Sequence, residues 1–206
     1  MRIIFDFDNT LFRSMPFGEA IRQAFRGCGV DEGMFHATLA QTRGEGMDWK
    51  LHRQVELLHK EFRIPRHVLD NSLAEVLTRA NAFLYHDTVP YLKTTAAAHT
   101  MYVLSYGEDA FQRAKVDASG IVPFFRHVLI TDNIRKDKEA ALLSGGEAAV
   151  FVEDNPLALR AAKTYAPHII TVRILRGEGR YKDEPSGEGI DYEIKNLGEL
   201  SNIVSI

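Results

Sequence analysis

Apolar and polar positions along this chain follow two rhythms, and the change from one to the other marks its organisation. Arg2-Ile3-Ile4-Phe5 is a compact apolar run without alternation, the pattern of a strand buried on both faces of a parallel sheet. From Ser14 to about Tyr85 the rhythm becomes helical. Phe17 to Phe25, Glu32 to Gln41, Asp48 to Phe62 and Pro65 to Phe83 carry apolar residues at three- and four-residue steps, Trp49, Val55, Leu58 and Phe62 among them, which predicts amphipathic helices with no strand between them. The break Thr42-Arg43-Gly44-Glu45-Gly46 reads as an interhelical loop or as a loop that reaches a substrate.

After Tyr91 short apolar runs return. Thr100 to Leu104, His127 to Ile130, Ala148 to Val152 and Ile169 to Ile174 read as strands, with helices over Glu108 to Ala118, from Lys136-Asp137-Lys138 to Ser144, and over Leu157 to Tyr165 behind Pro156. Gly120 and the pair Gly145-Gly146 stand where helices stop. Five strand-like runs joined by helices predict an α/β fold, a doubly wound parallel sheet with right-handed crossovers. Residues 1–14 and 90–206 form its core, and residues 15–89 form a helical insert placed after the first strand.

Composition narrows the partners. The chain has 206 residues and a net charge of -3 with mixed signs, which gives no electrostatic footprint for nucleic acid or an acidic membrane surface. Cys28 is the one cysteine, so an intramolecular disulfide is impossible and a reducing compartment fits. With Asp6 and Asp8 near its start and no apolar stretch of about 20 residues, the expectation is a soluble cytoplasmic protein. His36, His52 and His59 lie in the insert and read as solvated or capping histidines.

Candidate chemistry falls where the apolar runs stop: Asp6 and Asp8 after the first, Ser105 after the second, Glu153 and Asp154 after the fourth. In a doubly wound sheet these strand ends share one edge, the edge at which such folds bind ligands. Two acids there repel and are costly to desolvate, so they call for a hard cation such as Mg²⁺. Lys136 and Lys138 open a helix on the same edge, where the helix dipole already supplies positive charge; cations fit that place if an anion binds nearby. Plainer readings stand beside each. Asp-Phe-Asp-Asn-Thr and Glu-Asp-Asn-Pro also suit turns, Ser105 suits a helix N-cap, and Lys138 suits a solvated helix position.

Taken in order, Asp6-Phe7-Asp8-Asn9-Thr10, Ser105, Lys138 and Glu153-Asp154 resemble the four motifs of the haloacid dehalogenase superfamily of phosphotransferases, and the helical insert resembles that family's cap. The resemblance covers essentially the whole chain. It implies a Rossmann-like core, Asp6 as the nucleophile that forms an aspartyl-phosphate, Asp8 as general acid and base, and Mg²⁺ held by the Asp6 carboxylate, the Asp8 carbonyl and Asp154, with Glu153 beside them. It further implies that Ser105, Lys138 and the backbone amides of Asn9, Thr10, Tyr106 and Gly107 hold the phosphoryl oxygens. Two departures matter: no proline follows Lys138, so Lys136 competes for its role, and the fourth motif is Glu-Asp rather than Asp-Asp. An acid at Asp8 suits an oxygen leaving group, which favours a phosphomonoesterase on a small phosphorylated metabolite over dehalogenases and phosphonate-cleaving members. A phosphosugar mutase of the same fold and a non-catalytic phosphate-binding protein are the alternatives.

Overall fold

A computed structural model describes residues 1–42 and 49–204; the glycine-rich break between the second and third helices of the insert, beyond Thr42, lies outside them. Strand β1 (Arg2–Phe5) is followed by helices α1 (Ser14–Gly27), α2 (Glu32–Thr42), α3 (Leu51–Phe62) and α4 (Arg66–Leu77), a 3₁₀ turn at Ala80–Phe83, and helix α5 (Thr88–Thr95). The chain continues through β2 (Thr100–Tyr106), α6 (Asp109–Ala118), β3 (His127–Thr131), α7 (Asp137–Ser144), β4 (Ala149–Glu153), α8 (Pro156–Tyr165), β5 (Ile169–Ile174), β6 (Tyr192–Ile194) and α9 (Leu197–Val204).

The six strands form one sheet in the order β3-β2-β1-β4-β5-β6, every pair parallel. β1 lies between β2 and β4, with Phe5 opposite Val103 on one side and Val152 on the other. The connections leave β1 in one direction to reach β2 and later return to its other side for β4, so the loop after Phe5 opens at the switch in strand order, where such sheets form a crevice. Ile3 and Phe5 point to one buried layer and Ile4 to the other, because successive side chains of a strand alternate between faces.

The insert packs on itself, α1 against α4 and α2 against α3. Its apolar stripe (Phe17, Ile21 and Phe25 on α1; Leu51, Val55 and Leu58 on α3) is buried, and it joins the layer that contains Phe5, Phe7 and Phe12. Two chain crossings link insert and sheet. They lie side by side: Arg13 N–H donates to Phe83 O at 2.8 Å and Tyr85 N–H donates to Leu11 O at 3.0 Å.

Two differences from the sequence reading bear on the site. β2 runs to Tyr106, so Ser105 lies inside the strand rather than after it. β6 and α9 add an edge unit that sequence patterning passed over, since β6 has only three residues, two of them exposed. Among the described residues no helix is long and apolar enough to cross a membrane.

Candidate active site

Four charged side chains are buried together at the carboxyl edge of β1 and β4. Asp6 follows β1, its N–H donating to Val152 O at 2.9 Å, and only 3% of the residue is exposed. Glu153 ends β4, and Asp154 follows it. Lys136 reaches in from the β3–α7 turn: its Nζ donates to Asp6 Oδ1 and, at 2.6 Å, to Glu153 Oε2. Asp6, Glu153 and Asp154 each offer a carboxylate oxygen, and these oxygens lie within 4.8 Å of one another.

The structure assigns the buried lysine position to Lys136 and corrects the expectation for Lys138. Lys136 occupies the residue just before α7 in the left-handed conformation, φ 53° and ψ 10°, which directs its side chain back over the sheet edge. Asn133 shapes that turn by accepting Lys136 N–H on its carbonyl and by donating from Nδ2 to Asp137 and Glu139. Lys138, inside the first helical turn, is exposed. Asp137 is the first residue of α7, directly after Lys136.

Asp8 stands apart from the acidic cluster. Lys115 Nζ donates to both of its carboxylate oxygens at 2.7 and 2.8 Å, Gln112 Nε2 donates to Oδ2 at 2.7 Å, and Ser14 Oγ donates to Oδ1 at 2.8 Å. Lys115 is buried, with the rings of Phe7, Phe12 and Phe111 at 5.2 to 5.7 Å. Neither Gln112 nor Lys115 emerged from the sequence reading. A signal was present, because both fall on the buried face of α6 beside Phe111 and Val116, and a lysine on an apolar stripe needs a partner.

Other expected residues stand differently from their expected roles. Ser105 is fully buried and sits beneath Gln112, whose Nε2 lies 3.1 Å from its hydroxyl. The N–H groups of Asn9, Thr10 and Gly107 donate to Phe12 O, Phe7 O and Thr131 O at 2.7, 3.4 and 3.0 Å. Asn9 adopts φ 57°, and its side chain packs where a Cβ on Gly179 would stand. The cavity over the cluster measures about 250 Å³ and is lined by Asp6, Asp8, Asn9, Tyr106, Gly107, Lys136, Glu153 and Asp154 from the expected set; Thr10, Ser105 and Lys138 are not on its wall. The loop after β5 contributes Arg180 and Tyr181 to that wall. Arg173, 1% exposed, holds this loop by donating to the carbonyls of Tyr181 and Glu184, both at 2.7 Å.

Electrostatics separate the two acids of the first motif. Burial raises the Asp6 carboxyl, with Lys136 opposing it. Burial and the Asp6 charge raise Glu153 well above the usual range, and burial with the Asp6 charge pushes Asp154 up to about 7. Burial also works to raise Asp8, but Lys115, Gln112 and Ser14 prevail and hold it below the usual carboxylate range. For Lys136 burial favours the neutral amine, and the charges of Asp6 and Glu153 override it and keep the ammonium. Three carboxylates thus face a single ammonium. The donor set is all oxygen, carries excess negative charge and is closely spaced, which fits a hard divalent cation such as Mg²⁺. The Asp8 carboxylate is turned to Lys115, which leaves its backbone carbonyl as the group expected to face the cation.

No protein-family model and no curated protein matches the sequence. The fold, however, has close counterparts among solved structures. A haloacid dehalogenase-like hydrolase from Burkholderia xenovorans LB400 superposes with a TM-score of 0.77 at 22% identity, over 99% of this chain and 96% of that one. The HAD-hydrolase YfnB from Bacillus subtilis, described as bound to magnesium, gives 0.68 at 17% identity over 100% and 98%. L-2-haloacid dehalogenase from Xanthobacter autotrophicus gives 0.65 at 19% identity over 99% and 98%. The chain has the fold of the haloacid dehalogenase superfamily, with a Rossmann-like core and a helical insert after the first strand.

Proposed function

We propose that this protein is a Mg²⁺-dependent phosphomonoester hydrolase that acts on a small phosphorylated metabolite through an aspartyl-phosphate at Asp6. The observation that carries this reading is the pairing of an over-acidic buried cluster, Asp6, Glu153 and Asp154 around Lys136, with a second carboxylate, Asp8, kept out of that cluster two residues further on.

In the first half-reaction an Asp6 carboxylate oxygen attacks phosphorus and the bond to the leaving oxygen breaks; protonated Asp8 supplies that oxygen with its proton. In the second, water attacks phosphorus, the Asp6–phosphorus bond breaks, and the Asp8 carboxylate takes the water's proton. The ionised Asp8 held by Lys115 corresponds to the second half. Lys136 keeps Asp6 charged and nucleophilic and places an ammonium beside the phosphoryl oxygens. Asp6, Glu153 and Asp154 would hold Mg²⁺, which when bound supplies positive charge against the transferred group's oxygens. The insert, residues 15–89, acts as the cap that shields this chemistry from water. A cytoplasmic setting suits the single cysteine and the small-metabolite substrate.

Dehalogenation is the competing chemistry on this fold. A halide leaves as a stable anion and needs no proton, and a haloacid brings no dianion for a metal to neutralise, so neither Asp8 nor the excess acids would have work there. The test is phosphate release from a panel of phosphomonoesters with and without Mg²⁺, beside chloride release from 2-chloropropionate. Turnover of phosphate esters that needs Mg²⁺ and vanishes in Asp6→Asn is the expected result. Full turnover in excess chelator, or chloride release without phosphate release, would overturn the reading.

A further inference from the structure

The cavity over Asp6 has two unlike ends. At the sheet edge it is ionic; toward the insert it is aromatic. The described residues of the insert that line it are Ser14, Phe17, Gly18 and Trp49, and among them no polar group is left over: Ser14 Oγ donates to Asp8, and the Trp49 indole N–H donates to Gln54 Oε1. Gln54 is fully buried, and its amide nitrogen donates in turn to Phe35 O and Thr38 Oγ1, each at 3.0 Å. A buried amide with both ends engaged fixes the orientation of the Trp49 ring. That ring lies over Gly18, 3.6 Å from where a Cβ would stand, and meets Phe111 of the core edge-on at 6.3 Å and 70°. Phe17 stacks on Phe111 at 6.3 Å and 26°.

We propose that this wall selects phosphomonoesters whose alcohol is a small planar ring rather than a polyol, with Trp49 as the specificity-determining residue; the proposal rests on the phosphohydrolase reading above. Ser14 apart, the cavity's polar side chains, Glu108, Gln112, Asn155, Arg180 and Tyr181 among them, belong to the core. Against Trp49, Phe17 and Phe111 a sugar or glycerol portion would press hydroxyls that find no partner on those rings, and each buried hydroxyl left unpaired weakens binding roughly tenfold. A flat ring instead gains offset or edge contacts with Trp49, Phe17 and Phe111. The size agrees: about 250 Å³ lies just below the ~300–1,000 Å³ of pockets for drug-sized ligands, which leaves space for a phosphoryl group and one ring.

Benzyl phosphate and glycerol 1-phosphate decide the matter, because both release a primary alcohol and so differ in shape and polarity more than in leaving-group acidity. With Mg²⁺ present, kcat/KM for benzyl phosphate should exceed that for glycerol 1-phosphate at least tenfold, and Trp49→Ala should collapse the ratio chiefly through KM while Trp49→Phe keeps most of it. Trp49 is the only tryptophan, so its fluorescence also reports binding of the non-hydrolysable benzylphosphonate directly, with at least tenfold tighter binding expected than for 3,4-dihydroxybutylphosphonate. Equal or reversed preferences in the wild type, or a ratio that survives Trp49→Ala, would overturn the proposal. Turnover with a polyol preference would sink this inference and leave the hydrolase reading standing. Tight benzylphosphonate binding without turnover of any ester would do the opposite.

Discussion

Replacing Lys136 tests the electrostatic logic of the site without relying on a substrate. The Lys136 side chain is 3% exposed and pairs with Asp6 and Glu153, whose side chains are 4% and 2% exposed. Lys136→Met keeps much of the side-chain volume but leaves three carboxylates, with oxygens within 4.8 Å, and no cation. Removing one partner of a buried pair costs about 3–5 kcal/mol, a large share of a typical total of about 5–15 kcal/mol. At about 2–4 °C per kcal/mol for a chain of this size, the melting temperature should fall by about 6–20 °C. The loss should be larger at pH 8 than at pH 6, because protons can partly replace the ammonium at the lower pH, and millimolar MgCl₂ should recover part of it. Lys138→Met, on an exposed helix position, should stay within about 0.5 kcal/mol of the wild type. Thermal and urea unfolding followed by circular dichroism, at pH 6 and pH 8 and with and without Mg²⁺, measure all of this. Equal effects at the two lysines, or a Lys136→Met defect indifferent to both pH and Mg²⁺, would refute the reasoning.

Two further outcomes follow from the carboxylates. Burial and the Asp6 charge raise Asp154 from 3.8 to about 7, so between those values the folded protein holds a proton that the unfolded chain has released. Stability of the metal-free protein should therefore decline as pH rises from about 4 to 7, by at most about 4 kcal/mol, and Mg²⁺ binding at pH 6.5 should expel about one proton. Calorimetric titration in two buffers of different ionisation enthalpy measures that release, and none at all would show that Asp154 is already ionised. Lys115→Met removes the ammonium that orients Asp8 and should lower kcat on alkyl phosphates by about 10²-fold, the scale of a general acid–base contribution, with KM little changed and Lys115→Arg retaining more. A rise in KM at constant kcat would assign Lys115 to substrate binding instead.

By itself the sequence determined the layout. Apolar runs such as Ile3-Ile4-Phe5 and Val150-Phe151-Val152 admit few fates other than buried parallel strands, and the helical periodicity from Phe17 to Phe83 places the insert after β1, because burial of apolar surface dictates both patterns. Acids ending those strands had to meet at one edge once the sheet was parallel, so Asp6, Glu153 and Asp154 were legible. Tertiary structure decided what depends on where a side chain turns. Lys136 and Lys138 are two residues apart and chemically identical, and only the left-handed turn at Lys136 sends one inward and leaves the other in water. Asp6 and Asp8 look equivalent in the sequence, yet Lys115, 107 residues further along the chain, draws Asp8 out of the acidic cluster. Local patterning carries no record of such long-range pairings, since the energy of an ion pair depends on distance and dielectric in the folded state and not on separation along the chain.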